Sequence, residues 1–326
     1  MHALVKFLIG IFGIVAVFFA LIFVLNSADV VASEGSKAFA QSVRPTPGLV
    51  LSSFPAPVSN IHEIPNSPKF SDYLKAKSAM DALLTAEAEV VDRIVKAYKE
   101  RDVEIVTKYE VPVKVSSRFS VAHKLFLMHV SQLFAEGKTQ QALDHLIDSN
   151  LLLRNLIETP QLYLPKLIAL SLFQTNALFV QDLQHSKKMN SVSAALKVSL
   201  RIGTSTQQII ETSMMAEFMA AKAYVEHSKL ENGSMMGLVQ FLLRPQETVN
   251  WLAQIYSDLA DPKCNLSDLS ECSETYKTEI VSPNVVQILT NPTGRRLIRV
   301  LMPNSFAARS KLQENVDAIN GIAATL

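Results

Sequence analysis

The sequence predicts an all-α fold: an N-terminal transmembrane helix, a proline-rich tether, and then an irregular array or bundle of helical hairpins. Three observations carry this reading. Residues 7–25 form an uncharged apolar run; a proline-rich stretch without helical period follows; and from Ser71 onward apolar residues recur at three and four positions, with Gly or Pro at nearly every junction. The implied organisation is a cytoplasmic tip at 1–6, the transmembrane helix at 7–25, a Pro/Ser-rich linker at 26–70 and a helical domain at 71–326. That domain is large enough to divide, and the expected place is near Asn190.

The span from Phe7 to Leu25 holds 19 residues, 17 of them hydrophobic and the other two Gly10 and Gly13. As a helix it covers about 28 Å, close to the hydrocarbon thickness of a bilayer. A cleaved signal has a shorter apolar region and a small-x-small site, and Ser27-Ala28-Asp29-Val30-Val31-Ala32-Ser33 is a poor version of one. A permanent signal-anchor is therefore preferred over a removable signal. Lys6 precedes the run, whereas Asp29 and Glu34 are the first charges after it, so the positive-inside bias puts the N-terminus in the cytoplasm. The expected location is the inner (cytoplasmic) membrane, single-pass, with the C-terminal domain periplasmic or otherwise extracytoplasmic. The next most apolar stretch, Leu164 to Val180, is interrupted by Pro165, Lys166, Gln174 and Asn176 and reads as a core helix.

Between Asn26 and Lys69 lie Pro45, Pro47, Pro55, Pro57, Pro65 and Pro68. Each fixes its own φ and biases its predecessor toward extended backbone, which makes a semi-extended linker. The apolar patch Leu49, Val50, Leu51 and Phe54 is expected to dock onto the domain itself. A helix capped by Ser71 then carries Met80, Leu83, Leu84, Val91, Ile94, Val95 and Tyr98 on one stripe and runs to about Lys108, before an extended crossing at Pro112. Helices at Ser120–Ala135 and Thr139–Glu158 flank Gly137 as a hairpin, and another spans about Gln161 to Gln184. Met189 to Leu230 reads as a long helix broken near Gly203. Met235–Leu243, Gln246–Leu259, Val285–Met302 and Ser305–Ala324 complete the chain, with Pro303 ending the penultimate helix.

In Asn291-Pro292-Thr293-Gly294-Arg295, Asn291 is a helix cap and Pro292 takes the first helical position, where its missing N–H costs nothing. The pattern Asn-Pro-x-Gly-Arg, followed by an apolar run and Pro303, resembles a group of uncharacterised single-span, membrane-anchored helical envelope proteins of Gram-negative bacteria. The resemblance covers the general layout and the residues from Asn291 to Pro303. It implies a location and brings no activity or site residues.

Chemistry-bearing patterns are sparse. Net charge +1 gives no electrostatic footprint for nucleic acid. His123 and His129 are six apart, on different faces of a helix, and His145 has only Asp148 at helical spacing, so no metal and no cofactor is expected. There is no Gly-x-Ser-x-Gly elbow, and the Gly-Lys-Thr at 137–139 lacks the first glycine of a phosphate loop. Cys264 and Cys272 bracket a polar loop and are expected to form a disulfide in an oxidising compartment. Arg295, Arg296, Arg299, Arg309 and Lys311, with no acid among them, form a possible site for an anionic partner. Met214, Met215, Met219, Met235 and Met236 cluster as core filling or as the lining of an adaptable groove.

The expected function is a membrane-tethered, noncatalytic interaction or accessory protein of the cell envelope, held by the bilayer through Phe7–Leu25 and engaging a protein partner. Binding of a lipid or other apolar ligand between helices is the alternative. A hydrolase whose residues converge only in the fold ranks below both.

Overall fold

The computed structural model describes residues 64–100, 113–159, 162–189, 191–227, 242–264, 268–284 and 291–326. It also describes the strands at 48–50 and 104–106 and single positions between 17 and 37 and at 287, 289 and 290. The chain is mainly helical and divides into two compact units. The first unit comprises Met1–Arg44 and Met214–Ala307, the second Pro45–Ser213 and Ala308–Leu326.

The second unit opens with strand β1 (Gly48–Val50), which pairs antiparallel with β2 (Glu104–Val106), Leu49 opposite Ile105. The patch at Leu49 and Val50 thus docks within the chain; Leu51 and Phe54 lie outside the described residues. The single helix expected from Ser71 to about Lys108 is three: α1 (Phe70–Lys75), α2 (Lys77–Ala86) and α3 (Ala88–Glu100). Ala76 and Glu87 interrupt it with φ near −115° and −103°. Ser71 does not cap; its N–H and hydroxyl donate to the Asp182 carboxylate at 3.0 and 3.2 Å, and Lys69 is the cap residue instead. The stripe still buries Met80, Leu84, Val91, Ile94 and Tyr98. The helix stops at Glu100 because the β-branched residues beyond it pair with β1 rather than continue the stripe.

α4 (Val113–Ala135) begins before the expected Ser120, and α5 (Thr139–Glu158) has the expected limits. Gly137, at φ 78°, joins them: its N–H bonds Phe134 O and that of Lys138 bonds Leu133 O, a Schellman closure that requires the left-handed conformation. α6 (Tyr163–His185) ends the same way, with Lys187 rather than glycine at φ 54°. α6 is long and apolar enough to cross a membrane, yet most of that stretch is buried, including Lys166, as befits a core helix. α7 (Ala194–Ser199) follows, and α8 (Thr206–His227) carries the chain from the second unit into the first. The expected boundary near Asn190 falls in the link between α6 and α7, while the units divide at Ser213 and Met214.

The first unit contains the rest of α8, α9 (Pro245–Ala260), the short α10 (Leu269–Cys272), a π-helix at Tyr276–Val281 and the start of α11 (Pro292–Thr325). The Cys264–Cys272 disulfide is present. α11 passes through Pro303, where a break was expected. Proline in a helix interior costs on the order of 3 kcal/mol. Ile298 and Met302 before it and Ser305 after it are buried, and Ser305 Oγ lies 3.1 Å from Tyr256 OH, so packing on both sides outweighs the lost backbone bond. Of the run Phe7–Leu25, positions 17, 20–22, 24 and 25 are described and helical; the others lie outside the described residues, as do Met235 and Met236.

Candidate functional site

The Asn-Pro-x-Gly-Arg motif is the organising point of the first unit. Asn291 sits at φ 53°, a conformation asparagine tolerates better than most residues. Its Oδ1 accepts the N–H groups of Gly294 (3.1 Å) and Arg244 (2.9 Å), and its Nδ2 donates to Thr248 Oγ1 (2.8 Å) and Arg244 O (3.2 Å). One side chain thereby caps α11 and ties it to the start of α9. A Cβ on Gly294 would fall onto Thr248 Oγ1 and the Asn291 amide, so only glycine fits. Asn26 closes the arrangement from the other end of the chain. Its Nδ2 donates to Ile22 O (2.8 Å) and Leu289 O (3.0 Å), and its Oδ1 accepts the Asn291 N–H at 2.7 Å. Asn250 adds a second stitch, donating to Val31 O and accepting the Ser33 N–H.

One turn into α11, Arg295 is 5% exposed and lies 4.4 Å from the centre of the Trp251 ring. Its Nη2 pairs with Glu279 at 3.1 Å, and its Nε donates to Gln287 O and Thr290 O. Arg244 pairs with Glu247 at 3.1 Å. Burial raises the Glu247 carboxyl above its ordinary range, an effect opposed by Arg244, its Asn291 hydrogen bond and Arg295. A stacked guanidinium bonded through Nε and Nη2 ties α11 to α9 and the π-helix, while its buried Nη1 has no hydrogen-bond partner among the described residues.

The five basic residues of the sequence pattern therefore have distinct surroundings. In the first unit Arg295 is buried, while Arg296 is exposed. Arg299 is also exposed and donates from Nε and Nη2 to Ile280 O at 2.9 and 2.5 Å. In the second unit Arg309 is 4% exposed, and Lys311 is exposed and paired with Glu314 at 2.9 Å. Met214 is fully buried as core.

The second unit contains a buried polar chain that sequence reasoning did not assemble. Tyr98 OH and His123 Nδ1 are 2.6 Å apart; Asn176 Nδ2 donates to Ser149 Oγ and Asn150 Oδ1; Asn150 Nδ2 donates to Ser199 Oγ. Burial lowers the His123 pKa to about 3, despite an opposing contribution from Asn176, so the ring is neutral at physiological pH. Burial likewise pushes the Tyr98 hydroxyl up. Lys166, fully buried on α6, donates from Nζ to Thr212 Oγ1 (2.8 Å) and Ile209 O (3.2 Å), and burial lowers its pKa to about 7. The only sequence signal for this chain was the polar interruption of an apolar helix by Lys166 and Asn176. His129 and His145 bring their rings to 5.9 Å, but among the described residues no group of three or more His, Cys, Asp or Glu side chains could hold a metal ion.

The chain matches no protein-family model, no curated protein and no solved structure.

Proposed function

We propose that the protein is a single-pass, membrane-tethered, noncatalytic interaction or accessory protein of the cell envelope, with its helical part outside the cytoplasm. One observation carries most of this reading. At the end of the Phe7–Leu25 run, the apolar side chains Val17, Leu21 and Val24 are 69%, 49% and 65% exposed on one helical stripe, while Asn26, directly after them, is 7% exposed. Apolar side chains facing outward beside a buried polar anchor suit a segment that enters lipid just before the folded unit begins. The Cys264–Cys272 disulfide agrees with an oxidising compartment. The Arg295 guanidinium is stacked on Trp251 and bonded through Nε and Nη2 within the unit, which favours a scaffold over a catalyst.

In-cell crosslinking of the full-length chain, followed by identification of its neighbours, tests this reading. Recovery of a specific envelope protein is expected; a co-purifying lipid with no protein neighbour would favour binding of an apolar ligand. A topology reporter at the C-terminus must read extracytoplasmic, and free thiols at Cys264 and Cys272 in native membranes would count against that placement.

A further inference from the structure

The junction between the apolar run and α11 places a specific surface beside the exit of the proposed span. Leu25 is followed at once by Asn26, and Asn26 is bonded to Leu289 and Asn291, just before the start of α11. Counting from Asn291 at the helical rise, Arg296 lies about 7 Å and Val300 about 13 Å along α11. Arg296, Arg299 and Val300 share one outward face, at i, i+3 and i+4, and all three are exposed, Val300 by 63%. Val281, 50% exposed, belongs to the same region, because the bonds from Arg299 to Ile280 O tie the residue before Val281 to the residue before Val300. No acidic residue occurs between Asn291 and Lys311, and the nearby Glu279 is engaged by Arg295 and Gln287.

We propose that this face, Arg296, Arg299 and Val300 with Val281, rests on an anionic lipid surface where the chain leaves the bilayer. The inference builds on the reading of Phe7–Leu25 as a span and changes what that span does: it seats the first unit against the membrane. Arginines supply the attraction to phosphate headgroups, and the two valines enter the headgroup boundary, the combination used by interfacial helices. The charge complementarity and the clamp at Asn26 select a lipid surface over an acidic protein.

The test uses the full-length chain in nanodiscs of phosphatidylcholine, with or without phosphatidylglycerol. Arg296 is labelled with an arginine-selective dicarbonyl and read by mass spectrometry. Labelling is expected to fall roughly fivefold in the phosphatidylglycerol discs, to recover at high salt, and to recover in Val300→Asp at low salt. Equal labelling in both discs, with the chain incorporated, overturns the lipid contact but leaves the span intact. Protection in detergent that grows with protein concentration also overturns it, by making a second copy the occupant. A chain that enters neither disc overturns the span and this inference together.

Discussion

Replacing Lys166 with methionine should stabilise the protein. Holding an amine at a pKa of about 7, against 10.5 for a free lysine, withholds roughly 4 kcal/mol of folding free energy at neutral pH, at 1.36 kcal/mol per unit. Methionine keeps the length of lysine's four-carbon stem and removes the amine. The loss is two hydrogen bonds, each contributing about 1 kcal/mol. Neither group is left without a hydrogen bond: Ile209 O still accepts from Ser213 Oγ, and Thr212 Oγ1 still donates to Gln208 O. The net gain for Lys166→Met is therefore about 2 kcal/mol, or roughly 4 to 8 °C in Tm for a domain of this size. The pH dependence follows with a definite sign. Between the folded value near 7 and the unfolded value of 10.5, the unfolded chain holds a proton that the folded chain has released. Wild-type stability from this group therefore rises across that window as pH increases, and the variant lacks the rise. Thermal and guanidinium unfolding of the detergent-solubilised full chain, followed by circular dichroism at neutral and alkaline pH, reads both effects. A variant that unfolds earlier than wild type, together with a wild-type curve flat in the alkaline range, would refute the reasoning.

Other substitutions probe the remaining joints. Asn291→Ala removes the cap of α11 and leaves the half-buried Arg244 N–H and the buried Gly294 N–H without their acceptor, a loss of about 2 to 4 kcal/mol seen as a lower denaturation midpoint. Lys187→Gly, at φ 54°, relieves a left-handed backbone and should raise stability by about 1 kcal/mol in the same measurement. Burial lowers the pKa of His123, His129 and His145 below the usual 6.5; the unfolded chain then takes up protons near that pH before the folded one does, so the denaturation midpoint should drop as pH falls from about 7 to about 5. Reducing Cys264–Cys272 should cost about 2 to 3 kcal/mol, seen as faster amide exchange in Tyr276–Val281, because the closed loop is short.

Most of the helical architecture is legible in the sequence because local rules govern it. Gly137 and the limits of Thr139–Glu158 follow from turn chemistry and apolar period, and Asn291 and Pro292 announce a helix start. What the sequence conceals depends on distant residues. The diversion of Ser71 to Asp182 is a tertiary contact across 111 residues. Continuity through Pro303 depends on packing that includes Tyr256, far away in the chain. The basic pattern near the C-terminus was visible as composition, but its division into a buried Arg295 stacked on Trp251 and an exposed Arg296 required the fold. Lys166 was visible as an interruption of an apolar helix; that it faces a carbonyl and a hydroxyl, with no carboxylate as partner, was not.

The bonds of Asn26 to Leu289 and Asn291 span 263 and 265 residues. During synthesis the first unit therefore cannot close until nearly the whole chain has emerged, although its N-terminal segment appears first. The Asn26 latch stays open through most of translation and locks only once Asn291 arrives. A chain truncated before that point would keep its apolar segment while losing the latch, so incomplete products would differ from the finished protein where that segment meets the first unit.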